Sequence, residues 1–196
     1  MKIWMAILGM CMAQAVHPAA LSRSDFHRAV YVLHEQQIAQ HSIRTEEKTR
    51  DYEGLAAVGY RYRITSYYDA ETGRLLSRIQ RDADVPQAIH IAEVNVYDAD
   101  GRLVRDFFSS APPWKPIHPS HAYINLHNHN GQLHSFRQFE LDGQVNYEFC
   151  EGVLKGKPIR IALDWSDINE KTIASSEYQA CFDGMSKDWA QYTTPH

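Results

Sequence analysis

His118-Pro-Ser-His121-Ala-Tyr-Ile-Asn-Leu-His127-Asn-His129-Asn-Gly-Gln-Leu-His134 gathers five of the chain's eleven histidines around one Asn130-Gly131 pair. Asn-Gly between alternating apolar and polar residues predicts a β-hairpin, because a type I′ turn needs positive φ at both central positions. With those two residues as the loop, His129 faces Gln132, Asn128 faces Leu133 and His127 faces His134. Alternation then sorts the side chains onto two faces. Ala122, Ile124, Leu126, Leu133 and Phe139 form the expected core face, with Asn128, Ser135 and Arg137 among them. The opposite face is polar and carries His121, His127, His129 and His134 with Tyr123, Asn125, Phe136, Gln138 and Glu140.

The same period extends outward. Val58 to Tyr68, rich in aromatic and β-branched residues, reads as a strand, followed by the turn Asp69-Ala-Glu-Thr-Gly73 and a second strand from Arg74 to Ile79. Ile89 to Tyr97 and Arg102 to Phe108 pair around Asp98-Ala-Asp-Gly101. Phe139 to Phe149 pairs with itself around Asp142-Gly143. An aromatic residue, an acidic turn ending in Gly, then Arg or Gln and an aliphatic residue thus recurs three times. These turns resemble the tyrosine-aspartate hairpin repeats of large bacterial surface proteins. The resemblance covers the turns and implies hairpins, and no function is carried over with it.

Ser24 to about Gln40 has helical spacing at Phe26, Ala29, Val30 and Leu33, with Ser24 as the expected cap and Asp25 in the first turn. His27, His34 and His41, seven apart, are expected to face solvent. Ile43 to Glu53 is charged and reads either as a polar edge strand or as a helix tail. Four prolines between Ser109 and Ser120 predict a semi-rigid surface loop. Pro158 to Trp165 supplies another strand. Asp164 to Gln191 reads as one or two helices, with Asp167 at an N-cap. The fold class expected is α+β, mainly β: an N-terminal helix, an antiparallel meander of about eight strands forming an open curved sheet or partial barrel, and a short helical tail.

Residues 1–15 have the layout of a secretory signal: Lys2, the apolar run Ile3 to Met12, and Ala13-Gln14-Ala15. That run is too short to span a bilayer. Residues 16–196 remain as a single globular domain, expected in the periplasm or outside the cell. The formal charge of −4 is spread along the chain without a basic stripe, which argues against nucleic acid as a partner. Only Cys150 and Cys181 follow the signal, and an even pair in an oxidising compartment predicts a disulfide.

The candidate chemistry is metal binding. Directly opposed side chains in an antiparallel pair converge closely enough for two imidazoles to share one ion. His127 and His134 are the expected core, His129 lies two residues along the same face, and His118 on the Pro-rich loop is the candidate further ligand. Imidazoles suit Zn or Cu(II). Four of the five methionines lie in the signal, leaving Met185 alone, which argues against a methionine-rich copper carrier. The plain alternative is a set of solvated histidines on an outer sheet face. A second class of function is a carrier or recognition module binding a small apolar ligand or an envelope protein on the aromatic-rich sheet, through Trp114, Tyr60, Tyr62, Tyr67, Tyr68, Phe107 and Phe108. A metal-assisted hydrolase comes third. No catalytic residue is assigned, since no nucleophile elbow, phosphate loop or dinucleotide fingerprint occurs. His34-Glu35 lacks the second histidine of a helical zinc-protease motif, and the twelve-residue loop begun by Asp98 ends in Ser109 where calcium binding wants Glu.

Overall fold

The computed structural model describes residues 21–51, 60–112 and 119–186. The signal segment, Trp114 and His118 lie outside the described residues. Nine antiparallel strands follow one another in chain order across one open sheet. They are β1 (Ile43–Asp51), β2 (Arg61–Asp69), β3 (Leu75–Asp82), β4 (Ile89–Tyr97), β5 (Leu103–Ser110), β6 (His121–Asn130), β7 (Leu133–Glu140), β8 (Val145–Leu154) and β9 (Lys157–Asp164). Helix α1 (Arg23–Gln40) precedes them, and α2 (Glu170–Ile173) and α3 (Ser176–Phe182) follow. The ambiguous charged stretch after α1 is therefore an edge strand. Its alternation of Arg, Glu and Lys protects that free edge from further pairing.

The hairpins close through the chemistry their residues offer. Asp69 Oδ1 accepts from the backbone N–H groups of Glu71 and Thr72, and Asp142 Oδ1 accepts from that of Gln144. Gly73, Gly101 and Gly143 take the positive φ that finishes each acidic turn. The Asn130-Gly131 turn differs from expectation. Asn130 pairs with Leu133 as the last rung, so Gly131 and Gln132 are the central residues, and only Gly131 has positive φ. Glycine in the first central position is the type II′ preference, equally compatible with strand twist. Positive φ at two successive residues occurs instead at Lys155 and Gly156. The slip moves each cross-strand partner by two positions, so His129 faces His134 and His127 faces Phe136, while every side chain keeps its expected face.

One face of the sheet is covered. Phe26, Val30 and Leu33 of α1 pack with Ile79, Ala92, Val94, Phe107, Ile124 and Phe139. Each such fully buried side chain contributes on the order of 1.5–3 kcal/mol. The helix starts two residues earlier than expected, because Ser22 rather than Ser24 accepts from the Asp25 N–H. Farther along the sheet, Tyr178, Cys181 and Phe182 of α3 cover Leu133 and Cys150, and the predicted Cys150–Cys181 disulfide is formed with Cα atoms 6.0 Å apart. Beneath α3 the buried Arg137 pairs with Glu148 and donates to the Ser186 carbonyl, tying the tail down. The cap of α2 is Asn169, not Asp167, because Asn169 Oδ1 receives the Thr172 N–H.

Of the three histidines expected to face solvent, His27 and His34 do not. His34 is only 1% exposed and is hydrogen-bonded to Ser77 on β3, while His27, one heptad earlier, meets Ser109 on β5. His41 alone is exposed. A seven-residue spacing holds one helical face, and here small hydroxyl-bearing residues on the sheet receive the imidazoles.

Burial, with the Arg81 guanidinium nearby, pushes His34 down to about 4 from 6.5. Burial lowers His27 and His90 as well. These groups are neutral in the native state. Above pH 6.5 they add no pH dependence; below it the unfolded chain takes up protons that the native state refuses. Denaturant titrations should therefore show stability falling as pH drops from 6.5 towards 4, with His34 alone contributing about 3 kcal/mol at full effect. His34→Gln should flatten that slope, and an unchanged slope would contradict the assignment. Separately, Cys150→Ser with Cys181→Ser should cost roughly 3–4 kcal/mol in the same assay.

Candidate functional site

The opposite face carries no described helix. Its residues come from the positions that alternation turns away from α1, and they change character along the sheet. Arg44, Lys48 and Arg50 on β1 and Arg78 on β3 make one end cationic. The acids Glu93 and Asp106 lie near the middle, and histidines and aromatics follow on β6 to β8.

Asp106 organises the middle. It lies opposite Asn125, one strand from the hairpin, and its side chain is 14% exposed. Its Oδ1 accepts from Asn125 Nδ2 at 2.7 Å, and its Oδ2 accepts from His127 Nε2–H at 2.6 Å. Asn125 Oδ1 in turn accepts from Gln138, and Gln138 Oε1 accepts from Asn146. The amide dipoles of three strands thus end on one carboxylate, each donor direction set by the next acceptor.

On the far side of His127, Nδ1 lies 3.1 Å from His134 Nε2. The two rings are parallel within 1° with centroids 5.3 Å apart, a spacing that an edge-to-edge hydrogen bond in one plane accounts for. In the neutral pair His134 Nε2–H donates to His127 Nδ1. His129 stacks on His134 with centroids 4.8 Å apart and donates its Nε2–H to the Leu103 carbonyl. Burial, reinforced by His127 and His129, lowers His134 from the ordinary value.

Of the sequence-predicted ligands, His127, His129 and His134 are brought together, and His118 lies outside the described residues. His121 stands apart beside Ser110 and Ser120. Among the described residues no group of three or more His, Cys, Asp or Glu side chains is assembled around a common ion position. The outer nitrogens of His127 and His129 are nevertheless both occupied, by a carboxylate and a backbone carbonyl. That is how metal-ligating imidazoles are held in one tautomer with the other nitrogen presented. Tetrahedral coordination at about 2.0–2.1 Å per bond needs the two nitrogens about 3.3 Å apart. The observed 3.1 Å is close to that, and a tilt of the coplanar rings is the remaining adjustment.

Asp106 was not among the sequence candidates. Alternation puts it on the histidine face, but the loop between β5 and β6 hides the register that brings it to His127. The aromatic set expected for an apolar ligand divides between faces. Phe107 lies in the core against Phe26, and Tyr67 lies against His34. Tyr62, Tyr68 and Phe108 are on the helix-free face, where Phe108 stacks with Tyr123 and Phe136 with Phe149. Compared with family models, with curated proteins and with solved structures, the chain matches none. No helix among the described residues is long and apolar enough to cross a membrane.

Replacing Asp106 by Asn removes one acceptor and leaves either Asn125 or His127 with an unmatched donor. Equilibrium unfolding should show a loss of roughly 1–3 kcal/mol. In a double-mutant cycle with His127→Phe the two changes should be non-additive. Additive effects would mean that the 2.6 Å contact carries no coupling.

Proposed function

We propose that the protein is an exported binding protein of the cell envelope that holds a divalent transition metal, Zn or Cu(II), between His127 Nδ1 and His134 Nε2, with His129 as the adjacent third imidazole. The observation that carries this reading is the 2.6 Å contact of His127 Nε2 with the Asp106 carboxylate, from which the His127 tautomer follows. With Nε2–H committed to Asp106, the nitrogen facing His134 is the one with a lone pair, and an ion would enter between the rings as the His134 proton moves from Nε2 to Nδ1. The lowering of His134 by burial supports it, because an imidazole ligand must be unprotonated to bind. Export rests on the signal-like segment and accords with the disulfide. A remaining coordination position would be filled by water or by a group from a partner, which leaves room for either carrier or hydrolytic use.

Calorimetric titration of the metal-free protein with Zn and with Cu(II) should show one saturable site per chain. His134→Ala should abolish it. Asp106→Asn should weaken it by about tenfold or more. Because His134 is held below 6.5, binding should persist at pH values somewhat under that figure and then fall as protons compete. Stoichiometric binding that survives His127→Ala and His134→Ala would place the ion elsewhere, and no saturable binding would reject the reading.

A further inference from the structure

The cationic end of the same face holds a second feature, separate from the histidines by about four strands, or roughly 19 Å. A cleft of about 430 Å³ runs along β2, with Tyr62, Ile64, Ser66 and Tyr68 as its floor. Lys48 and Arg50 of β1 stand along one side, and Arg78 of β3 stands on the other. That volume lies within the range of ligand sites.

Its charge balance is one-sided. Glu46 is the single acid of the lining, and Arg44 and the Tyr68 hydroxyl hold it, the guanidinium bond first, below the ordinary carboxylate range. The Arg44 guanidinium also lies 4.2 Å from the Tyr68 ring centre, bracing that ring. Lys48 and Arg50 form no ion pair among the described residues. Arg78 reaches Glu93 through one nitrogen at 3.2 Å, which leaves the other donors of its guanidinium fork for a ligand. The cleft is therefore positive on a protein that is negative overall.

Shape narrows the ligand further. Tyr62 and Tyr68 lie six residues apart on one strand, about 20 Å, so the cleft is a track and not a pit. A single phosphate or small carboxylate would use one cation and neither ring. A chain of sugar rings bearing a carboxylate on each ring repeats both features together: a C–H face to lie on tyrosine and an anion to meet the flanking cations. We infer that the cleft over β2 binds an extended acidic glycan, its rings on Tyr62 and Tyr68 and its carboxylates on Lys48, Arg50 and Arg78. This site shares no residue with the proposed metal site.

The test is calorimetric titration of the metal-free, disulfide-bonded protein with a galacturonic acid oligomer. A neutral glucose oligomer and a polyglutamate of matched charge serve as comparisons. The expected result is saturable binding of the uronate, weaker by about tenfold in Arg50→Ala and again in Tyr62→Ala, with the neutral sugar not bound. His134→Ala should leave it unchanged. Arg50 lies exposed on an edge strand, so its variant should fold, and circular dichroism checks both variants. No binding of the uronate by the unaltered protein would overturn the inference. So would equal binding of polyglutamate that ignores Tyr62→Ala, which would mark the surface as a general polyanion contact.

Discussion

Strict alternation along nine consecutive strands is the constraint on which the rest of this molecule depends. Each strand in a meander neighbours the strand before it, so the two faces of the sheet are built from alternate residues of a single chain order. A helix of eighteen residues cannot cover both. α1 seals one face over Ile79, Val94, Phe107, Ile124 and Phe139, α3 continues that cover over Leu133 and Cys150, and the other face is left to support itself without a described helix. That face does so with polar ladders and paired rings: Asn146 to Gln138 to Asn125 to Asp106, Phe108 on Tyr123, and Phe136 on Phe149. Side chains already organised in this way need little further ordering to meet a ligand, which lowers the entropic cost of binding.

Histidine does two different jobs across this sheet. On the covered face His27 and His34 are neutral anchors of α1, each meeting one serine hydroxyl. On the opposite face His127 is polarised by a carboxylate and passes that polarisation to a second ring. The difference follows from the partner. A serine oxygen neither fixes a charge nor demands one, whereas the half-buried carboxylate of Asp106 dictates which His127 nitrogen bears the proton.

Much of the architecture is legible in the sequence because it rests on local signals. Asp-to-Gly turns at Gly73, Gly101 and Gly143 mark the hairpins, alternation in 122–140 marks the faces, and two cysteines can make one bridge. What escapes is information carried by register. The Asn130-Gly131 turn is shifted by one residue because Gly131 can open a two-residue loop with Gln132 as readily as it closes one with Asn130. That exchanged the opposed pair from His127 and His134 to His129 and His134. Asp106 was invisible as a partner because no local rule sets how β5 meets β6 across a Pro-rich connection. The burial of His27 and His34 was missed because heptad spacing shows only that they share a face of α1, not that serines await them on β3 and β5.

Imidazole nitrogen NMR on the metal-free protein, repeated after addition of one equivalent of zinc, tests the central claim most directly. The predicted spectrum has the His127 proton on Nε2 in both states, held by Asp106, while the His134 proton moves from Nε2 to Nδ1 when zinc binds Nε2. A His127 proton found on Nδ1, or His127 and His134 resonances indifferent to zinc, would contradict the account.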